Sequence, residues 1–117
     1  MNSGTHLTER HCAPCDKDTP PLQRNTAQQL LPDLHPDWSL ADDGRSITRR
    51  YSFENYYQTM AFVNALAWIA HSEDHHPDIE VSYRHCQVHF STHSIGGLSV
   101  NDFICAAKID ALLPAGA

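Results

Sequence analysis

The chain has 117 residues, 41% hydrophobic and 19% charged, the size and balance of one small globular domain; two stacked domains and an extended disordered chain are excluded. The formal charge is -6 with His neutral, and eight scattered Lys and Arg cannot form the concentrated positive face that displaces counterions from a phosphate backbone, so direct nucleic-acid binding is not expected. Nine His outnumber Lys plus Arg, and because imidazole titrates near pH ~6.5, the charge balance moves strongly between about pH 5 and 8.

In chain order, residues 1–21 are polar, interrupted by Pro14, Pro20 and Pro21, and without apolar period; they are expected to form a flexible N-terminal arm ahead of a single domain over 22–114. The opening MNSGTHLTERHC lacks a basic stretch followed by an apolar core, so the expected home is cytoplasmic, with reduced thiols. The longest apolar patch, Ala65 to Ala70, is far too short to span a membrane. Thr26 reads as the N-cap of a short helix limited by Pro32 and Pro36. Strands at 38–40 and 46–53 flank an Asp43-Gly44 hairpin signal.

A long helix is expected from Glu54 to about Ser72. Tyr56, Met60, Val63, Ala67 and Ala70 recur at helical steps, and Phe62, Leu66 and Ile69 widen the stripe. Pro77 pushes His76 out of helical dihedrals, so Glu73-Asp74-His75-His76 sit at a helix-to-strand junction. Alternation predicts strands over 79–83 and 86–92, with Cys86, Val88, Phe90 and Thr92 sharing one face. Ser99 caps a last helix from Val100 to about Leu113. Helix, hairpin, helix, hairpin, helix is an α+β plan: one four-stranded antiparallel sheet with three helices on one face. Exposed sheet edges in so small a domain predict a homo-oligomer, a dimer by edge pairing or a tetramer through a second, helical contact.

The informative cluster is His71, Glu73, Asp74, His75, His76 and Pro77, then His93 and Asp102. The second hairpin returns His93 toward His75 and His76, so the three imidazoles are expected to share one site. Such a group can hold a metal or exchange protons with a substrate near neutral pH. Adjacent His75 and His76 rarely aim both rings at one ion, and proton transfer meets no such objection. Asp102 also completes a Ser99-x-x-Asp102 capping box, a purely structural duty. Trp38, Tyr83 and Phe90 could stack on a flat ligand, although strand aromatics more often belong to the core. His11 and Cys12-x2-Cys15 resemble part of a zinc site but lack a second Cys pair at matching spacing, and Cys86 and Cys105 read as small buried apolar residues.

The run His71-x3-His75-His76-Pro77-x5-Tyr83-x9-His93-x8-Asp102, continued by Gly97-Leu98-Ser99-Val100-Asn101-Asp102-Phe103 and Ala106-Ala107-Lys108-Ile109-Asp110, resembles the pterin-4a-carbinolamine dehydratase family over roughly Leu22 to Leu113. The resemblance implies dehydration of 4a-hydroxytetrahydrobiopterin to quinonoid dihydrobiopterin, recycling the cofactor of aromatic amino acid hydroxylation, with no metal or redox cofactor. It implies His75, His76 and His93 as the catalytic set: His75 and His93 as acids toward the departing hydroxyl, His76 in pterin binding and base action. Glu73, Asp74, Tyr83 and Asp102 are its expected substrate-binding residues. It also permits an alternative, an oligomerising protein-binding or transcriptional cofactor module with the same fold.

Overall fold

The structure, a computed structural model, describes residues 7–114. Helix α1 (Arg24–Leu30) begins two residues before Thr26 and is capped by Gln23, which makes no side-chain cap bond. Tertiary anchoring sets this start: Leu22 N–H donates to Leu98 O at 2.8 Å, so the chain is already fixed when it reaches Gln23. A 3-10 turn over Leu31–Asp33 follows, with Pro32 in its first positions, where a missing N–H costs nothing.

Strand β1 (Ser39–Leu40) and β2 (Ile47–Ser52) pair antiparallel, Leu40 opposite Ile47. Gly44, in the turn between them, has φ +71°, and a Cβ there would also meet Arg24 Cβ at 3.4 Å. Helix α2 (Tyr56–Glu73) is capped by Asn55, whose Oδ1 accepts from Gln58 N–H at 2.9 Å. Its buried residues are Thr59, Phe62, Leu66 and Ala70. The core face is thus centred on the residues expected only to widen the stripe, while Tyr56 stands half exposed.

Strand β3 (Asp78–Val81) and β4 (His85–Phe90) close the second hairpin, and the sheet order is β1-β2-β4-β3, antiparallel throughout. Cys86, Val88 and Phe90 point inward as the alternation predicts, beside Ile47, Arg49 and Tyr51 of β2. The last helix, α3 (Val100–Asp110), carries the complete capping box of Ser99 and Asp102. It is buried on nearly every side, from Asn101 through Ala107 and again at Ile109, where the sequence pattern offered only a mixed stripe. The sheet and α2 cover part of its surface, and residues 7–15 cover more: Leu7 is buried and Cys12 packs on the core.

The segment read as an arm is held at named points. Cys12 N–H donates to Glu73 Oε1 at 2.7 Å. Asn101 clasps Ala13 both ways, Oδ1 accepting its N–H at 3.0 Å and Nδ2 donating to its carbonyl at 2.6 Å. At Gly97 an added Cβ would meet Pro21 Cβ at 2.9 Å, so a glycine is required for residues 20–22 to lie against the loop before α3. No helix among the described residues is long and apolar enough to cross a membrane.

Candidate active site

The turn after α2 aims the site. Asp74 has φ 51° and ψ 43°, a left-handed conformation that Asp tolerates better than bulkier residues. His75 N–H then reaches back to Ala70 O at 3.1 Å, closing a Schellman-type terminus. This reversal lays the His75 ring parallel to Phe90, with 5.9 Å between centroids and 4° between planes. Pro77 follows and the chain enters β3 at Asp78.

From the opposite side comes Asp102, in the first turn of α3 and wholly buried. Its Oδ1 lies 2.6 Å from His75 Nε2, and its Oδ2 accepts from Thr92 Oγ1 at 2.8 Å and from Ser99 N–H at 3.0 Å. A buried carboxylate is costly unless its lone pairs are met, and here three donors meet them. The structural duty of Asp102 and its place in the site are therefore one arrangement: the carboxylate that caps α3 also fixes the imidazole. With Nε2 turned to the carboxylate, Nδ1 is the ring nitrogen left for another partner.

His75 opens onto a cavity of about 310 Å³ lined also by Cys12, Pro14, Asp74, Thr92 and Ser94. A wider hollow of about 590 Å³ between α1 and β1 has mainly aliphatic and prolyl walls; Trp38, a candidate stacking residue, lines it, but none of the expected catalytic or substrate-binding residues does. The smaller cavity is the better candidate, because there a buried carboxylate holds an imidazole at 2.6 Å beside a space for a ligand, whereas His35 of the larger hollow has only the exposed Asp37 at 3.8 Å.

The other expected residues are distributed around this point. Glu73 lines the same cavity with its oxygens already engaged: Cys12 N–H holds Oε1, His11 Nδ1 lies 2.8 Å from Oε2, and Lys108 Nζ is 3.6 Å away. Burial alone would raise its pKa, but the Cys12 N–H, His11 and Lys108 outweigh burial and hold it below the ordinary value. Asp74 is exposed at the cavity wall.

His76 is exposed, and His93, in a 3-10 turn over His93–Ile95, places Nε2 3.8 Å from Asp78 Oδ2 with its side chain 77% exposed. The hairpin thus brings His93 to the end of the sheet where His75 and His76 stand, but of the three rings only His75 lines the cavity. Tyr83 is not brought there. It stacks on Tyr56 at 6.1 Å, at the start of α2, and α2 runs 18 residues, roughly 27 Å, before His75. Phe90 and Trp38 are buried core residues.

Sequence reasoning missed Thr92 and Asn101 as parts of this region. For Thr92 a signal existed, since its strand face already pointed inward; for Asn101, whose partner is a backbone amide 88 residues away, none did.

The family model described as pterin 4 alpha carbinolamine dehydratase matches residues 20–112. A relative from Nitrosomonas eutropha, named "Putative pterin-4-alpha-carbinolamine dehydratase", is 58% identical over 113 residues, covering 97% of this chain and 98% of its own. One of the same name from Legionella pneumophila (strain Corby) is 53% identical over 107 residues, covering 92% and 95%. Among solved structures, a transcriptional coactivator/pterin dehydratase from Brucella melitensis superposes with a TM-score of 0.75 at 28% identity, over 80% of this chain and 99% of that one. A pterin dehydratase-like protein described as a RuBisCO assembly factor in the alpha-carboxysome superposes with a TM-score of 0.59 at 27% identity, over 71% and 94%.

Proposed function

The chain belongs to the pterin 4 alpha carbinolamine dehydratase family, and we propose that it dehydrates a 4a-hydroxytetrahydropterin to the quinonoid dihydropterin by imidazole acid–base catalysis. The observation that carries this reading is the 2.6 Å contact of His75 Nε2 with buried Asp102 at the edge of a cavity. In the carbinolamine, the N5 lone pair expels the hydroxyl on C4a. One group must protonate the departing oxygen and another must take the N5 proton. Asp102 fixes the His75 ring through Nε2, and that ring carries the proton delivered to the oxygen. His93 joins it as an acid from the rim. His76, on the exposed side, contributes to pterin binding and takes the N5 proton. Asp74, at the cavity wall, hydrogen-bonds the pterin's polar edge, whereas Glu73 acts by holding residues 11 and 12 as the cavity wall. The product feeds tetrahydrobiopterin recycling for aromatic amino acid hydroxylation, in the cytoplasm.

Self-association fits the same surface features. All four residues of edge strand β3 are exposed, Ile79 and Val81 among them, so a second copy can extend the sheet; exposed Tyr57 and Trp68 on α2 offer a further contact for a tetramer. The second reading, a protein-binding module, draws on that exposed aromatic surface and on the names of the two structural neighbours. Stopped-flow ultraviolet detection of 4a-hydroxytetrahydropterin decay tests the enzyme reading: decay accelerates in proportion to added protein, and decay equal to that in buffer contradicts it.

A further inference from the structure

The HCAPC segment has no part in the dehydration chemistry, yet it carries the closest sulfur contact described. Cys12 Sγ lies 3.4 Å from Cys105 Sγ, across 93 residues of chain. Cys12 is half buried at the cavity wall, while Cys105 is wholly buried on α3. All four cysteines, 12, 15, 86 and 105, are free thiols. Among the described residues no three His, Cys, Asp or Glu side chains gather in the manner of metal ligands, so a shared ion does not explain the pair. Asn101 Nδ2 donates toward Cys15 Sγ at 3.5 Å, which keeps Cys15 beside the segment it belongs to, and Cys86 is not in the group.

We propose that Cys12 and Cys105 form a reversible disulfide site, closed by mild peroxide, that tethers residues 7–15 to α3 beside the His75 cavity. A disulfide needs sulfurs about 2.05 Å apart, so closure asks for a shift of roughly 1.4 Å, within the reach of one side-chain rotation. The neighbouring Cys12 sulfur, together with burial, pushes the Cys105 thiol well above its usual pKa, which leaves Cys12, facing the cavity, as the sulfur that an oxidant meets. In the first step the Cys12 thiolate attacks hydrogen peroxide: the O–O bond breaks, an S–O bond forms, and hydroxide leaves to be protonated by solvent. In the second, Cys105 sulfur attacks Cys12 sulfur, the S–O bond breaks, and the Cys105 proton leaves with the hydroxyl as water. Two thiols and one peroxide give one disulfide and two waters. A small-molecule dithiol reverses it by exchange.

The bond adds a covalent anchor where Glu73 and Asn101 already supply hydrogen bonds. It also closes a loop that spans most of the chain, which constrains the unfolded state more than a short loop would. The expected effect is a rise in Tm of about 10 °C on oxidation, reversed by dithiothreitol.

The test treats the whole chain with stoichiometric hydrogen peroxide, blocks remaining thiols by alkylation, and maps tryptic peptides without reduction. The expected product joins peptide 11–17 to peptide 85–108 and leaves two of the four thiols free. The Cys15→Ser/Cys86→Ser double variant keeps this link and the Tm rise, whereas Cys12→Ser loses both. Four free thiols after treatment, a Cys12–Cys15 bridge as the main product, or a link only between separate chains overturns the proposal.

Discussion

Helix α3 carries a hydrogen-bonded carboxylate at each end, Asp102 wholly buried and Asp110 partly so, and the two are used differently. Asp110, at its last turn, accepts from Arg49 Nη1 at 2.7 Å, Tyr51 OH at 2.6 Å, Trp38 Nε1 at 2.9 Å and His35 N–H at 3.1 Å. None of these donors changes its protonation near neutral pH: Arg stays charged, and burial, then the charge of Asp110, pushes the Tyr51 phenol above its ordinary range. This end is a structural knot, fastening α3 to β2 and to the segment entering β1. Asp102, at the first turn, has the same kind of donor set with one substitution of kind. One of its partners is an imidazole, and that imidazole opens on a cavity. Hydrogen bonding makes a carboxylate rigid at either end. What sets the Asp102 end apart is an imidazole partner with access to a ligand, which the proposed function uses for proton transfer.

The contrast breaks first at the knot. Asp110→Ala leaves the Arg49 guanidinium buried without its carboxylate, and urea unfolding is expected to show a loss of about 3–5 kcal/mol. Dehydration per folded molecule is expected to stay within about twofold, because no Asp110 partner lines the site cavity. A smaller stability change and a larger activity change come from Asp102→Asn. Removing the charge weakens the capping box by about 1–2 kcal/mol and loosens the hold on the His75 ring, so turnover should fall at least about tenfold, as parallel stopped-flow and thermal melts would register.

The smallest effect sharpens the role of the N-terminal segment. The pKa of Glu73 is lower folded than unfolded, so its contribution is fully present above the ordinary carboxylate value of 4.5 and is lost as pH falls through the lowered folded value. Acid titration of stability should show this loss below about pH 4.5 in the wild type and a flatter profile in Glu73→Gln, at a cost of about 1 kcal/mol at pH 7.

Much of this was legible in the residues. Strand alternation placed Cys86, Val88 and Phe90 inward, the Asp-Gly pair marked the first hairpin, and Ser99-x-x-Asp102 marked the start of α3, because each of these signals is local and periodic. The face of α2 was harder to read: a helix apolar on several sides admits more than one stripe, and packing against the sheet selected Thr59, Phe62, Leu66 and Ala70. Thr26 misled as a cap because a hydrogen bond from Leu22 to the loop before α3 set the helix start instead. At the site, the His-His-Pro element and its junction were visible, but the inward turn of His75 alone depends on the left-handed Asp74 and on Phe90. The covering of Glu73 by residues 11 and 12 joins positions more than 60 apart, and no sequence period reports such a contact.

The central claim is that the carboxylate-backed imidazole at the open end of α3 performs the proton transfer. Its most direct test is single-turnover dehydration of 4a-hydroxytetrahydropterin by the wild type beside His75→Ala, with circular dichroism confirming that both are folded. The expected result is a fall of about 10²–10⁴ in the catalysed rate for the variant. A folded His75→Ala protein that dehydrates the carbinolamine as fast as the wild type would contradict the account.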